Sequence, residues 1–190
     1  MDLTKNRCSW CLKDELYMNY HDEEWGTPVH DDKIHFEFLA LEAAQAGLSW
    51  YTILKRKHGY AEAFANWDID EIEKYDEAKV EELLQFEGII RNRKKVEAVI
   101  HNVGPFRAIQ KEFGSFDAYI WKYVNGKTIV NSIEKEGDYD ATTSLSDQIS
   151  KDLKKRGFKF IGTTTTYAYM QAIGLVDDHM NSCWKKTSVQ

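Results

Sequence analysis

Apolar residues in this chain recur at three- and four-residue intervals rather than in alternation, and that period predicts helices along most of its length. Asp32 is placed to cap a helix running to about Ala46 and ended by Gly47, and Ser49 to cap a second one through Lys57. Asp76 precedes the run Val80-Glu81-Glu82-Leu83-Leu84, which stops at Gly88. Asn92 to about Phe113 reads as a long helix with Gly104-Pro105 as a kink or break. Ser115 opens a short aromatic helix, Phe116 to Val124, and Ser144 opens one that ends at Gly157. Thr163 to Ile173 is the last, closed by Gly174. Thr128-Ile129-Val130 is the only short strand candidate, inside a loop spanning 126–143. No linker, repeat or low-complexity tract interrupts the pattern. The expectation is an all-α fold, a single domain over residues 1–190 whose two ends form a subregion.

Composition narrows the function classes. The chain has 190 residues, 25 basic against 31 acidic, for a net charge of −6. A globally basic nucleic-acid binder is excluded, so any such site must be a local patch. Hydrophobic residues make up 43% and aromatics 13%, too much for a disordered chain. No apolar run approaches the roughly 18 residues of a membrane span, and Met1 to Asn6 holds no apolar signal core. A cytoplasmic protein with no membrane partner is therefore expected, acting as a monomer. Three cysteines, an odd number, point to thiols and metal binding rather than disulfides.

Three features depart from an ordinary helical protein. Glu42 lies roughly 160° around its helix from the polar edge marked by Lys33 and Glu37, among Phe38, Leu39 and Ala46. A carboxylate there is either a satisfied structural group or a base or acceptor in a pocket. Cys8, Cys11 and His21 stand near one end of the chain, and His179-x3-Cys183 near the other. Two thiolates with two imidazoles suit a closed tetrahedral zinc site. Spacing leaves the first half open, since Cys8 could pair with Cys11 or with His21. Basic residues cluster at Lys55–His58, Arg91–Lys95 and Lys151–Lys159. Each could be a solvated helix face, but a helix–glycine turn–helix beside Arg and Lys is also a phosphate-binding arrangement.

The motifs that carry these features resemble one family. They are Arg7-Cys8-Ser9-Trp10, Tyr20-His21-Asp22-Glu23-Glu24-Trp25-Gly26, Leu41-Glu42, Gln45-Ala46-Gly47-Leu48-Ser49-Trp50, Gly88-Ile89-Ile90-Arg91, Leu153 through Thr164, Met170-Gln171-Ala172 and Gly174 through His179, with Cys183. In this order they resemble bacterial 3-methyladenine DNA glycosylase I. The resemblance implies a helix-hairpin-helix DNA glycosylase fold and hydrolysis of the N-glycosidic bond of 3-methyladenine in double-stranded alkylated DNA, with free 3-methyladenine as product. It implies a structural zinc held by Cys8, His21, His179 and Cys183, tying the two ends together, with Cys11 a free thiol. It puts Glu42, Tyr20 and Trp50 on the base. The hairpin is expected at Glu87-Gly88-Ile89-Ile90-Arg91, lacking the second glycine of the wider superfamily.

The chemistry fits these residue types. A base inside a duplex must be flipped out before a pocket can hold it. A cationic N3-methylated adenine is already a good leaving group, so selective binding is what the protein must add. Trp10, Tyr17, Tyr20 and Trp50 offer aromatic faces, and Glu42 offers charge and hydrogen bonds. Leu48 is the candidate wedge, and Arg91, Arg93 and Lys155 the candidate phosphate contacts. No lysine is placed as a Schiff-base nucleophile, so no strand cleavage is expected. Two rivals are a non-catalytic module for alkylated DNA, and a metal-dependent phosphohydrolase built on His21-Asp22 and Asp177-Asp178-His179.

Overall fold

A computed structural model describes residues 4–187, so Met1–Leu3 and the last three residues of the 1–190 span lie outside the described residues. Ten α-helices are described: α1 Glu15–Glu23, α2 Asp32–Gln45, α3 Trp50–Leu54, α4 Lys57–Ala63, α5 Ile69–Ile72, α6 Glu77–Gln85, α7 Arg93–Phe113, α8 Phe116–Trp121, α9 Ser144–Lys155 and α10 Thr163–Ala172. Two two-residue strands, β1 Ile129–Val130 and β2 Val176–Asp177, pair in parallel with Ile129 opposite Val176. The strand expected at Ile129 thus exists, and its partner lies just before His179.

The centre of the molecule is α2, which packs on α3, α4, α7, α8 and α10. Its second half, Phe38 through Ala44, is buried on every side, so Glu42 shares the surroundings of Leu39 and Leu41. On α7, Val96, Val99, Val103, Phe106 and Ile109 form the buried stripe that turns toward α2. Pro105 does not break α7: of the kink or break expected at Gly104-Pro105, the break is absent. The carbonyl it leaves without a helix partner belongs to His101, on the exposed side, where solvation replaces the lost bond.

Capping also corrects the sequence reading. Asp31, not Asp32, caps α2, accepting from the backbone of Lys33 and Ile34 at 2.8 and 3.1 Å. Asp32 reaches across to α8, where its carboxylate accepts from the Phe116 and Asp117 amides at 2.9 and 2.8 Å. Thr143 rather than Ser144 caps α9, with Ser146 reciprocating. Asp76, Asn92, Ser115 and Ser49 cap α6, α7, α8 and α3 as their positions suggest. The helix opened by Ser49 ends at Leu54, and α4 follows at once as a separate helix.

The turn at residues 86–92, read from sequence as the hairpin, is packed against α4. A Cβ on Gly59 would sit 2.3 Å from the Gly88 carbonyl oxygen, so the two backbones touch where neither residue has a side chain. Ile89 is buried and the Ile90 amide donates to the Tyr60 hydroxyl at 3.2 Å. A second helix pair, α9 and α10, meets through residues 156–162 and is in extensive contact. Among the described residues no helix is long and apolar enough to cross a membrane.

Candidate functional site

Helices α1, α2 and α3 converge on a cavity of about 410 Å³. The carboxyl of Glu42 forms one side, and the rings of Trp10, Tyr17, Tyr20, Trp25 and Trp50 supply much of the rest. Tyr20 packs on Trp50 at 5.2 Å between ring centroids, and Trp10 meets Tyr17 edge-on at 5.0 Å. The structure therefore brings together all five residues singled out for the base: Glu42, Tyr20, Trp50, Trp10 and Tyr17. It adds Trp25, Tyr139 and Gln171, which sequence reasoning missed. Trp25 stood inside a quoted motif, but Tyr139 comes from the irregular 126–143 loop, where no periodicity marks an inward position.

Glu42 is 4% exposed, and its Oε2 has no hydrogen-bond partner. Burial alone, with no cation beside it, raises its pKa to about 8. Trp50 Nε1 is likewise buried without a partner. Burial holds Tyr20 far above the usual tyrosine range and Tyr17 up to about 12, so both hydroxyls keep their protons at neutral pH. The cavity thus presents a buried unpaired acid, an indole N–H and the Tyr139 hydroxyl, both also buried without partners, and several π-faces, a set suited to a flat heteroaromatic ring with polar edges. A larger cleft of about 840 Å³ also touches Tyr20, but there Lys57 is already paired with Glu24 and Glu37.

Behind Trp10 lies the cysteine–histidine group. The ligand atoms of Cys8, His21 and Cys183 all fall within 4.8 Å of one another, and all three residues are buried. His21 Nδ1 pairs with Asp22 Oδ1 at 2.9 Å, leaving Nε2 turned to Cys183 Sγ at 3.4 Å. His179 repeats the arrangement: Nδ1 meets Asp177 Oδ1 at 2.9 Å, and buried Nε2 has no partner. The two imidazoles lie 5.1 Å apart. A carboxylate on one nitrogen, with the other aimed at thiols, is how a ligand histidine is held ready for a metal. Gly26 is part of the cradle, since a Cβ there would come within 2.5 Å of His179 Cε1. Cys11 turns away and donates its thiol to the Cys8 carbonyl at 3.1 Å, which decides between Cys11 and His21. The group could hold a metal.

The carboxylates of the phosphohydrolase reading are all occupied. Asp22 receives Arg7 as well as His21, and Asp178 receives Tyr167, Gln171 and Asn131. They orient other groups instead of offering an open metal site.

The predicted DNA contacts scatter more widely. Leu48 is 40% exposed on the turn between α2 and α3, where Gly47 has φ +79°. Lys95 fastens that turn by donating to the Ala44 and Ala46 carbonyls at 2.8 and 2.7 Å. Arg91 is exposed and unpaired among the described residues, and so is Lys155, near the end of α9. Arg93 is surrounded by Glu77, Glu81 and Glu97.

A mostly helical frame, a buried acid in an aromatic pocket and a thiol–imidazole group beside it fit a base-recognising protein of the DNA-repair kind. The methyladenine glycosylase family matches residues 10–186, and the chain belongs to it. It is 45% identical over 182 residues to the DNA-3-methyladenine glycosylase of Haemophilus influenzae, covering 96% of this chain and 98% of that one. It is 44% identical over 177 residues to DNA-3-methyladenine glycosylase 1 of Escherichia coli, covering 93% and 95%. The 3-methyladenine DNA glycosylase I of Staphylococcus aureus, solved to define its recognition of 3-methyladenine, superposes with a TM-score of 0.93 at 39% identity, covering 98% and 99%.

Proposed function

We propose that this protein is a monofunctional DNA glycosylase that hydrolyses the N-glycosidic bond of 3-methyladenine in alkylated duplex DNA. The observation that carries the reading is the unpaired, desolvated carboxyl of Glu42 inside an aromatic cavity, in a chain of this family. Tyr20 and Trp50, packed on each other, offer the flipped base aromatic contacts, with Trp10 and Tyr17 completing the wall. Glu42 accepts from the edge of the cationic base and so selects it. When the bond to the sugar breaks, its electron pair goes to the ring, which leaves as neutral 3-methyladenine. The positive charge passes to the sugar carbon, and the attacking water later gives its proton to solvent. A positive ring favours the ionised carboxylate, so binding pulls the Glu42 proton off and strengthens the contact. Water then adds at the sugar carbon.

Leu48 fills the gap left in the stack, on a turn that Lys95 keeps in place. The DNA-binding hairpin is α9–α10 rather than the Gly88 turn, which Gly59 and Tyr60 cover. Its flanking Lys155 is free to meet a phosphate. The metal is zinc, bound by Cys8, His21, His179 and Cys183. When bound it would cross-link the two end segments behind Trp10, and four protein ligands would leave it no open position for a water. The protein acts as a cytoplasmic monomer over one domain. The test is to incubate it with N-methylated duplex DNA and identify the released base. Free 3-methyladenine with an intact strand is the expected result. Tight binding to that DNA without release would leave the non-catalytic module as the better reading.

A further inference from the structure

The turn between α9 and α10 holds one residue that nothing in the fold explains. Phe160 has φ +56°, a left-handed conformation rare for any residue with a side chain and rarer for a bulky one. Its ring is 38% exposed and makes no ring or cation contact among the described residues. The other exposed aromatic, Trp184, is covered by the Lys5 ammonium. Strained backbone and exposed ring both oppose folding, yet the turn is firmly held. Buried Asn102 grips Lys159 twice, accepting from its amide at 2.8 Å and donating to its carbonyl at 3.2 Å. His101 Nε2 donates to the Gly157 carbonyl at 2.9 Å. A conformation over-determined by its surroundings, with no packing gain, is one maintained for something outside the molecule.

The surroundings say what that is. Phe160 lines a groove of about 480 Å³ with Lys94, Glu97, Ala98, His101 and Lys159. Glu97 faces Arg93 at 3.3 Å, so Lys94 and Lys159 are the unpaired charges of the groove. An apolar ring between two ammonium groups matches the backbone of DNA, where each deoxyribose shows an apolar face between two phosphates. The first turn of α7 joins this groove to the wedge turn. Lys94 lines the groove, while Lys95 holds the Ala44 and Ala46 carbonyls beside Leu48.

We propose that Phe160 is a second apolar contact to the DNA, its ring seated on a deoxyribose with Lys94 and Lys159 on the flanking phosphates. The proposal rests on the DNA-repair reading above and deepens it, adding a duplex-binding point remote from the base pocket. It acts before base flipping, on damaged and undamaged duplex alike.

The test compares Phe160→Gly, Phe160→Tyr and wild type for affinity to an undamaged duplex across a salt series, melting temperature, and affinity for free 3-methyladenine. Glycine suits φ +56°, so Phe160→Gly should melt at or above the wild-type temperature. Losing the buried ring should weaken duplex binding about tenfold or more. The salt slope should not change, because no charge is removed. Phe160→Tyr should bind within about twofold of wild type because it keeps the ring, and free-base affinity should be equal in all three. If Phe160→Gly binds the duplex as tightly as wild type, the inference is wrong and the ring is merely exposed. If wild type releases no 3-methyladenine while Phe160→Gly still loses duplex affinity, the glycosylase reading falls and this one stands.

Discussion

Two buried polar clusters lie on either side of Trp10, and they handle the burial of polar groups in opposite ways. In the cysteine–histidine group every imidazole has a carboxylate behind it, Asp22 for His21 and Asp177 for His179, and Asp22 is itself held by Arg7. The thiols of Cys8 and Cys183 lie within 4.8 Å of a His21 nitrogen, and buried His179 Nε2 has no partner. Such a cluster could hold a metal ion. In the base pocket Glu42 Oε2 has no hydrogen-bond partner and no cation shifts its acidity, in a wall that is largely aromatic and includes the amides of Gln45 and Gln171. That lone acid is tolerated because it can carry a proton until a positive ring arrives. The contrast teaches how to tell a resident ligand from a transient one. The outer groups that orient a resident's ligands have partners already, whereas a substrate's ligand is left unsupported.

The sharpest test of that contrast is to remove one support from each side. Cys183→Ser should lose the metal and cost more than about 3 kcal/mol of stability, because binding energy at a structural site is folding energy. Cys11→Ser should keep the metal and change stability by no more than about 1 kcal/mol, as its thiol makes only one local bond. Metal content by elemental analysis, beside thermal melts, reads both. A Cys11→Ser protein without metal, together with a His21→Ala protein that retains it, would reverse the ligand set.

Glu42→Gln should do the opposite to stability. Wild-type Glu42 keeps its proton to about pH 8 when folded but releases it near 4.5 when unfolded. The folded state therefore binds more protons between those values, and wild type loses stability as pH rises from about 4.5 to about 8. Glutamine has no proton to lose. At pH 7 the variant should be the more stable by roughly 3 kcal/mol, and the gap should close toward pH 5. The same change should weaken binding of free 3-methyladenine by about 10–150-fold, the loss of a charge-assisted hydrogen bond. Melts at several pH values and a base titration decide it. Unchanged base affinity with abolished turnover would make Glu42 a general base instead.

How much of this was legible beforehand follows from the range of the forces involved. Glu42 betrayed itself by helical phase, a local property, and the structure keeps it on the buried face. The caps at Asn92 and Ser115 were likewise local. The cap of α9 was misread by one residue, Ser144 for Thr143, a local slip, and the larger misreading was long-range. Asp32 looked like the cap of its own helix, yet it serves α8, more than eighty residues away. Gly88 does stand in the turn joining α6 to α7, but its contact with Gly59 on α4 had no local signal. Helices α1, α4 and α5 went unread, the last two because they are short and depend on tertiary packing for their stability. The four expected metal ligands came from family resemblance, since spacing left Cys8 with either Cys11 or His21. The supporting Asp22 and Asp177 were visible only as neighbours of histidines, open to a wrong reading as ligands.

The same question, whether a partner is already present, sorts the surface cations and gives the smallest effect to measure. Arg93 is held by three carboxylates, Glu77, Glu81 and Glu97, while Lys155 has none among the described residues. A phosphate approaching Arg93 must displace charges that already satisfy it, and it meets their repulsion as well. Lys155 stands at the end of α9 with only solvent to give up. Lys155→Ala should therefore lower the log–log salt slope of duplex binding by about 0.9, one phosphate's share, with a few-fold weaker affinity at moderate salt. Arg93→Ala should leave the slope nearly as it was and show itself as a small loss of stability, about 1 kcal/mol or less, from its exposed ion pairs. Anisotropy titrations from low to moderate salt separate the two. If Arg93→Ala moves the slope and Lys155→Ala does not, pairing within the free protein is no guide to which cations meet DNA, and the lesson drawn from the buried clusters stops at the surface.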